Sequence, residues 1–214
     1  MSKEWKGNKK SVSTMLGLST TWHPEQRAAG DYYTTDPTAV KQFIDNYLKN
    51  NEDFTSLFYG KIWEPACGCG NISKVLESLE YDVISTDLYD RGYGKSGVDF
   101  LTAELPTEVI TIITNPPYNI ADDFVKHAME ILPNGGRYLA LMNLSYLAGQ
   151  KRFKEIYRKG YLHAIYVYPH RINCYKNNEV TGHSSPVNYA WFEYRKISYY
   201  RNIHFPPAIY WIEK

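Results

Sequence analysis

Val109-Ile110-Thr111-Ile112-Ile113-Thr114 runs directly into Asn115-Pro116-Pro117-Tyr118. A β-branched run of this kind reads as a buried strand, and two prolines, which carry no backbone N–H, end it abruptly. At its tip stand a side-chain amide, a carbonyl with no neighbouring N–H to occupy it, and an aromatic face. Together they make a small device for holding a planar, nitrogen-bearing group.

Outward from this strand, apolar periodicity alternates between two and 3.6 residues. Asp36 and Pro37 read as the N-cap and first turn of a helix carrying Val40, Phe43, Ile44, Tyr47 and Leu48. Strands are predicted over 61–66, 82–86, 137–142, 162–168 and 187–194, and helices over 71–80, 121–132 and 150–158. A glycine-bearing loop covers 92–97. Strands alternating with helices imply an open, mainly parallel α/β sheet. The last two strands have only a polar loop between them and are expected to pair antiparallel. Ligands of such sheets bind beyond the carboxyl ends of the strands.

At 214 residues, with 43% hydrophobic and 22% charged residues, the chain has the composition of an ordinary globular protein. We expect a polar N-terminal arm over 1–30 and one catalytic domain over 31–214, without a large separate target-recognition domain. Lys3, Lys6, Lys9 and Lys10 are followed by no apolar h-region, so no secretory leader is expected. No stretch reaches membrane-spanning length. Cys67, Cys69 and Cys174 are odd in number and suggest a reducing cytoplasm rather than a disulfide framework. They lack the paired spacing of zinc sites, so no metal is expected.

The net charge of +1 conceals an asymmetry. Residues 61–150 hold twelve acidic and six basic residues, whereas 151–214 hold eleven basic and four acidic. The last third is also rich in tyrosine and tryptophan. Basic plus aromatic surface suits phosphates and stacked bases; the plainer reading is core aromatics and solvated lysines.

Glu64-Pro65-Ala66-Cys67-Gly68-Cys69-Gly70 runs from a predicted strand into a predicted helix. Gly68 and Gly70 permit a tight turn and a close backbone approach to a ligand. Ser73 stands where a dinucleotide fingerprint has its third glycine, and Glu64 would repel a pyrophosphate. A carboxylate there suits a cationic ligand such as S-adenosylmethionine, which carries an ammonium and a sulfonium. Asp87, with Leu88 after it, ends the next strand and can accept hydrogen bonds from ribose hydroxyls. Asp99 and Phe100 offer a carboxylate and a ring face for an adenine.

Asn115-Pro116-Pro117-Tyr118, Glu64-Pro65-x-x-Gly68-x-Gly70, Asp87 and Tyr32-Tyr33-Thr34-Thr35-Asp36-Pro37 together resemble the N6-adenine (or N4-cytosine) DNA methyltransferase family over about residues 31–194. The last segment departs from the family's simpler aromatic-Thr-Pro by its inserted Thr35-Asp36. The resemblance implies a Rossmann-like methyltransferase fold: a mostly parallel seven-stranded sheet with an antiparallel C-terminal strand pair. It implies S-adenosylmethionine held by Tyr33, Thr34, Glu64, Pro65, Ala66, Gly68, Gly70, Asp87, Leu88, Asp99, Phe100 and Asn115. The catalytic set is Asn115, Pro116, Pro117 and Tyr118. The Asn115 oxygen and the Pro116 carbonyl would accept the two N–H bonds of an amino group, and Tyr118 would stack on the base. With Tyr118, Arg171, Lys176 and His183 are the expected substrate contacts. DNA, adenine N6 in particular, is the expected target, with a possible protein partner for target selection. So compact an enzyme resembles phage or prophage members. RNA base methylation, protein glutamine methylation and an inactive nucleic-acid-binding fold remain open alternatives.

Overall fold

The computed structural model describes residues 33–51, 60–176, 187–197 and 206–213. The arm read over 1–30, His183 and the remainder of 177–186 lie outside the described residues. The strands are β1 (Tyr33–Thr35), β2 (Lys61–Glu64), β3 (Val83–Ser85), β4 (Val109–Thr114), β5 (Arg137–Asn143), β6 (Leu162–Val167), β7 (Cys174–Lys176), β8 (Tyr189–Arg195) and β9 (Ala208–Trp211). The α-helices are α1 (Pro37–Lys49), α2 (Asn71–Ser78), α3 (Ala121–Ile131) and α4 (Gln150–Glu155), with short 3₁₀ turns at Leu144–Leu147 and Tyr157–Lys159.

Seven strands form one sheet in the order β3-β2-β4-β5-β8-β6-β9. β3, β2, β4 and β5 run parallel. β8 lies antiparallel between β5 and β6, which gives the expected C-terminal pair. β9 then adds a parallel edge strand against β6. The run around Ile112 is central: β4 is flanked by β2 and β5, and its side chains are buried on both faces. Ile112 joins one core with Tyr138, Ala140, Phe124 and Phe192, and Ile113 joins the other with Leu139, Leu141, Phe43 and Trp191. This alternation is the period-two signature of a strand covered on both sides. α3 covers the first face and α1 and α2 the second. Phe43 of α1 stacks on Trp191 of β8 with ring centroids 4.4 Å apart, which ties helix to sheet.

Asp36 caps α1 as the sequence suggests, its side chain accepting from the Thr38 N–H at 2.8 Å. Besides β9, which the sequence reading does not include, three differences appear. α2 stops at Ser78, followed by Glu80 in a left-handed conformation. The helix expected over 150–158 divides into α4 and a 3₁₀ turn at Ile156, whose φ of −121° is not helical. Two three-residue strands, β1 and β7, pair antiparallel outside the main sheet. Among the described residues no helix is long and apolar enough to cross a membrane.

Candidate functional site

Parallel pairing puts the carboxyl ends of β2, β3 and β4 side by side. Trp63 lies opposite both Ile84 and Ile112. Glu64 therefore closes β2, Asp87 lies two residues beyond β3, and Asn115 follows β4 directly. Between β2 and α2 the chain turns sharply through Gly68 (φ 55°) and Gly70 (φ 82°). Gly70 has no substitute: a Cβ there would collide with the Tyr93 ring. Asp87 stitches this turn to the next strand, accepting from the Gly68 N–H at 2.9 Å and the Tyr89 N–H at 2.8 Å.

Glu64 is 2% exposed and forms no ion pair among the described residues. Its carboxylate takes the Ser73 backbone N–H at 2.8 Å and the Ser73 hydroxyl. Burial pushes its pKa up to about 8; Asp87 and Glu77 add to the rise and the Ser73 hydrogen bonds oppose it. It is an acid held out of water without a counter-ion.

Asn115 is fixed on three sides. Its Nδ2 donates to the Tyr33 carbonyl at 3.0 Å and to Thr35 Oγ1 at 3.2 Å, and its Oδ1 accepts from the Tyr118 hydroxyl at 2.8 Å. With both amide N–H bonds tied to β1, the oxygen is the end left for a donor. No described group donates to the Pro116 carbonyl. β1 is itself anchored twice more. Asn71 at the start of α2 donates to the Thr35 carbonyl at 2.8 Å, and β7 pairs with it, Tyr33 opposite Lys176 and Thr35 opposite Cys174. The segment ahead of the glycine turn thus bridges that turn, the strand-β4 tip and the downstream polar segment.

A cavity of about 350 Å³ opens at this end of the sheet. Its wall includes Tyr33, Thr34, Glu64, Pro65, Ala66, Gly68, Asp87, Leu88, Asp99, Phe100, Asn115 and Pro117. Gly70, Pro116 and Tyr118 stand off the wall. Gly70 shapes the turn behind it. Tyr118 turns its hydroxyl onto Asn115, and its ring lies 6.0 Å from Tyr33 and 6.1 Å from Tyr189. Asp99 is exposed and accepts from the Leu101 N–H at 3.0 Å. Phe100 borders the cavity, but its ring packs chiefly into the core against Trp63 and Phe124. Arg171 is exposed just before β7, and Lys176 ends that strand beside Tyr33. Thr35 and Cys67, inside the segments that carry the resemblance, also line the cavity, and so do Asn71, Tyr89, Arg91 and Asn119, which sequence reasoning does not single out. For Asn71 a signal exists, since it opens the helix after the second glycine; for Arg91 there is none.

No family model matches the sequence, and no curated protein matches it. Solved structures do match in fold. A candidate class I S-adenosylmethionine-dependent methyltransferase from Listeria monocytogenes superposes with a TM-score of 0.55 at 15% identity, over 94% of this chain and 70% of that one. A candidate RNA methyltransferase from Pyrococcus horikoshii gives 0.56 at 14% identity, over 89% of this chain and 100% of that one. The type IIG restriction endonuclease BpuSI gives 0.54 at 15% identity over 85% of this chain, which spans only 27% of that enzyme. The architecture is the Rossmann-like fold of class I methyltransferases, as the sequence led us to expect.

Proposed function

We propose that this protein transfers a methyl group from S-adenosylmethionine to an exocyclic amino nitrogen of a DNA base, adenine N6 first. The observation that carries the reading is the Asn115 amide. Both its N–H bonds are held by β1, and the residue lines a cavity whose wall also carries a buried acid without a counter-ion among the described residues. The residues present fit the cofactor. Glu64 suits its cationic amino-acid end, Asp87 keeps lone pairs for ribose hydroxyls, and the cavity is within the usual size of small-molecule sites. When bound, S-adenosylmethionine supplies an electrophilic methyl group.

An exocyclic amino nitrogen is a poor nucleophile because its lone pair is delocalised into the ring. The Asn115 oxygen and the Pro116 carbonyl would each accept one of its N–H bonds, drawing it toward tetrahedral geometry and aligning the lone pair. Such preorganisation, with dipoles fixed in advance, supplies most of the rate in reactions of this kind. The Tyr118 hydroxyl holds the same Asn115 oxygen and must share it or yield as the amino group enters. A base in a duplex must be flipped out to reach this depth. The DNA reading is supported by the segment 33–37 packed beside the cavity and by the basic, aromatic last third. The fold likeness to a restriction endonuclease and to a candidate RNA methyltransferase is consistent with nucleic-acid substrates.

The test is incubation with radiolabelled S-adenosylmethionine and parallel pools of DNA, RNA and protein, followed by nucleoside and amino-acid analysis. Label in N6-methyladenine from DNA is the expected result. Label confined to RNA or to glutamine moves the substrate, and label nowhere removes the activity.

A further inference from the structure

The sheet delivers more than the cavity to its carboxyl end. β4 and β5 are parallel with Thr114 opposite Ala140, so Asn115 and Asn143 leave the sheet on the same side. Past Asn143 come the 3₁₀ turn Leu144–Leu147 and then α4. This segment is bolted to the element that follows the strand-β4 tip. Arg152 Nε donates to Asp122, in the first turn of α3, at 2.7 Å, and its guanidinium lies 3.6 Å from the Tyr146 ring centroid. Arg152 also donates to the Tyr146 and Ala148 carbonyls, and the Tyr157 hydroxyl donates to the Tyr146 carbonyl at 2.5 Å. α3 itself begins six residues past Asn115.

This scaffold presents an excess of positive charge. Residues 150–160 hold five basic residues and one acid. Arg152 is matched by Asp122, and the one acid, Glu155, is matched by Lys126 at 2.6 Å. Lys151, Lys154, Arg158 and Lys159 are exposed and none forms a close ion pair among the described residues, although the charge of Lys151 acts on Glu155. Beside them Phe153 is 55% and Leu147 44% exposed. A segment that starts at the carboxyl end of the sheet, runs back along α3 (Arg152 at Asp122, Glu155 at Lys126) and carries four exposed cations and an apolar side chain has the chemistry of a phosphate-backbone contact.

We propose that Lys151, Lys154, Arg158 and Lys159 dock the phosphate backbone of the DNA duplex flanking the target base, with Phe153 against the sugar edge. This rests on the DNA reading above. It assigns duplex positioning to the segment after β5, whereas the sequence directs attention to 171–186.

The test compares the full-length protein with the Lys151→Glu/Lys154→Glu/Arg158→Glu variant, binding a fluorescent 30-base-pair duplex across a salt series. Each phosphate contact contributes about 0.9 to the slope of log affinity against log salt. The variant is therefore expected to lose about 2.7 of that slope and at least tenfold in affinity, while S-adenosylmethionine binding is unchanged. Lys41→Glu, on α1 over the opposite face of the sheet, is the control and should move neither quantity. A wild-type slope in the triple variant, or an equal loss in Lys41→Glu, overturns the proposal while leaving the DNA reading standing. A wild-type protein that binds single-stranded RNA but no duplex overturns both.

Discussion

Two glutamates are buried in the same sheet, and their surroundings differ in kind. Glu193, toward the end of the sheet where β5 begins, is fully inaccessible and well matched. It accepts from the Tyr47 hydroxyl at 2.9 Å and from Arg195 Nε at 2.6 Å, with the Tyr166 hydroxyl at 3.4 Å. Glu64, at the carboxyl end of β2, is equally inaccessible but has only Ser73 for a partner. A buried acid with a cation and hydroxyls around it is a finished structural element. Glu64 has one serine, through its N–H and hydroxyl, and no cation among the described residues. The two ends of one sheet thus separate into a closed polar network and an open one, and the open one faces the cavity.

The largest effect expected lies at the open end. Asn115→Ala should lower methyl transfer by about 10²- to 10³-fold, the usual loss when one preorganised polar group is removed. Its affinity for S-adenosylmethionine should stay within a few fold. Steady-state turnover and equilibrium binding measured side by side check this, and retained turnover would remove Asn115 from the chemistry.

The closed end should respond in stability instead. Glu193→Ala removes the buried acceptor that Arg195 Nε and the Tyr47 hydroxyl share. The cost is about 3–5 kcal/mol, which at this chain length is a fall in Tm on the order of 10 °C. Thermal denaturation of the variant measures it. A drop of under about 2 °C would show that the network can relax and that the contrast between the two ends is overstated.

The pH dependence of stability sharpens the comparison further. Glu64 has its ordinary value of 4.5 in the unfolded chain and about 8 in the folded one. Its neutral form is favoured by folding, so the stability it contributes is complete below pH 4.5 and is lost as pH rises toward 8. The wild-type Tm without ligand should therefore decline between pH 5 and pH 8 more steeply than that of Glu64→Gln. Parallel curves would show that Glu64 is already compensated.

The smallest effect belongs to the hinge between the parts. Thr35→Val removes one acceptor for the Asn115 amide while keeping the shape of the side chain. Loss of one hydrogen bond of about 1 kcal/mol predicts a fall in kcat of about fivefold, with KM little changed, and Thr35→Ser should restore it. A change in KM alone would place Thr35 in binding rather than in orienting the amide.

The features that resist sequence reading are those set by tertiary docking. The β4 strand and its proline stop are local facts, written in β-branched residues and two missing N–H groups, and they sit where expected. So does the turn after Glu64, because two glycines and an acid at the end of a strand carry their own geometry. β1 and β7 do not announce themselves. Each is three residues long, they lie some 140 residues apart, and neither has a period to detect; β1 is held in place by the Asn71 and Asn115 side chains and pairs there with β7. β9 is hidden for a related reason: Ile209 and Trp211 face outward on an edge strand, so its pattern lacks a fully buried run. Gly70 illustrates a subtler limit. Its place in the motif suggests ligand contact, and the structure adds a further constraint: the residue opens α2 and a Cβ on it would meet the Tyr93 ring. Arg152 was visible only as one more basic residue, and its bridge to Asp122 separates it from the unmatched cations around it.

In the proposed function Glu64 holds the ammonium of S-adenosylmethionine. Calorimetric titration of S-adenosylmethionine into the wild-type protein and into Glu64→Gln at pH 7.5 addresses it directly. Saturable one-site binding to the wild type is expected, with binding at least about tenfold weaker to the variant, the loss of roughly 1.4 kcal/mol or more that follows when a buried charge partner is removed. Equal affinities, or no binding to the wild type, would contradict it.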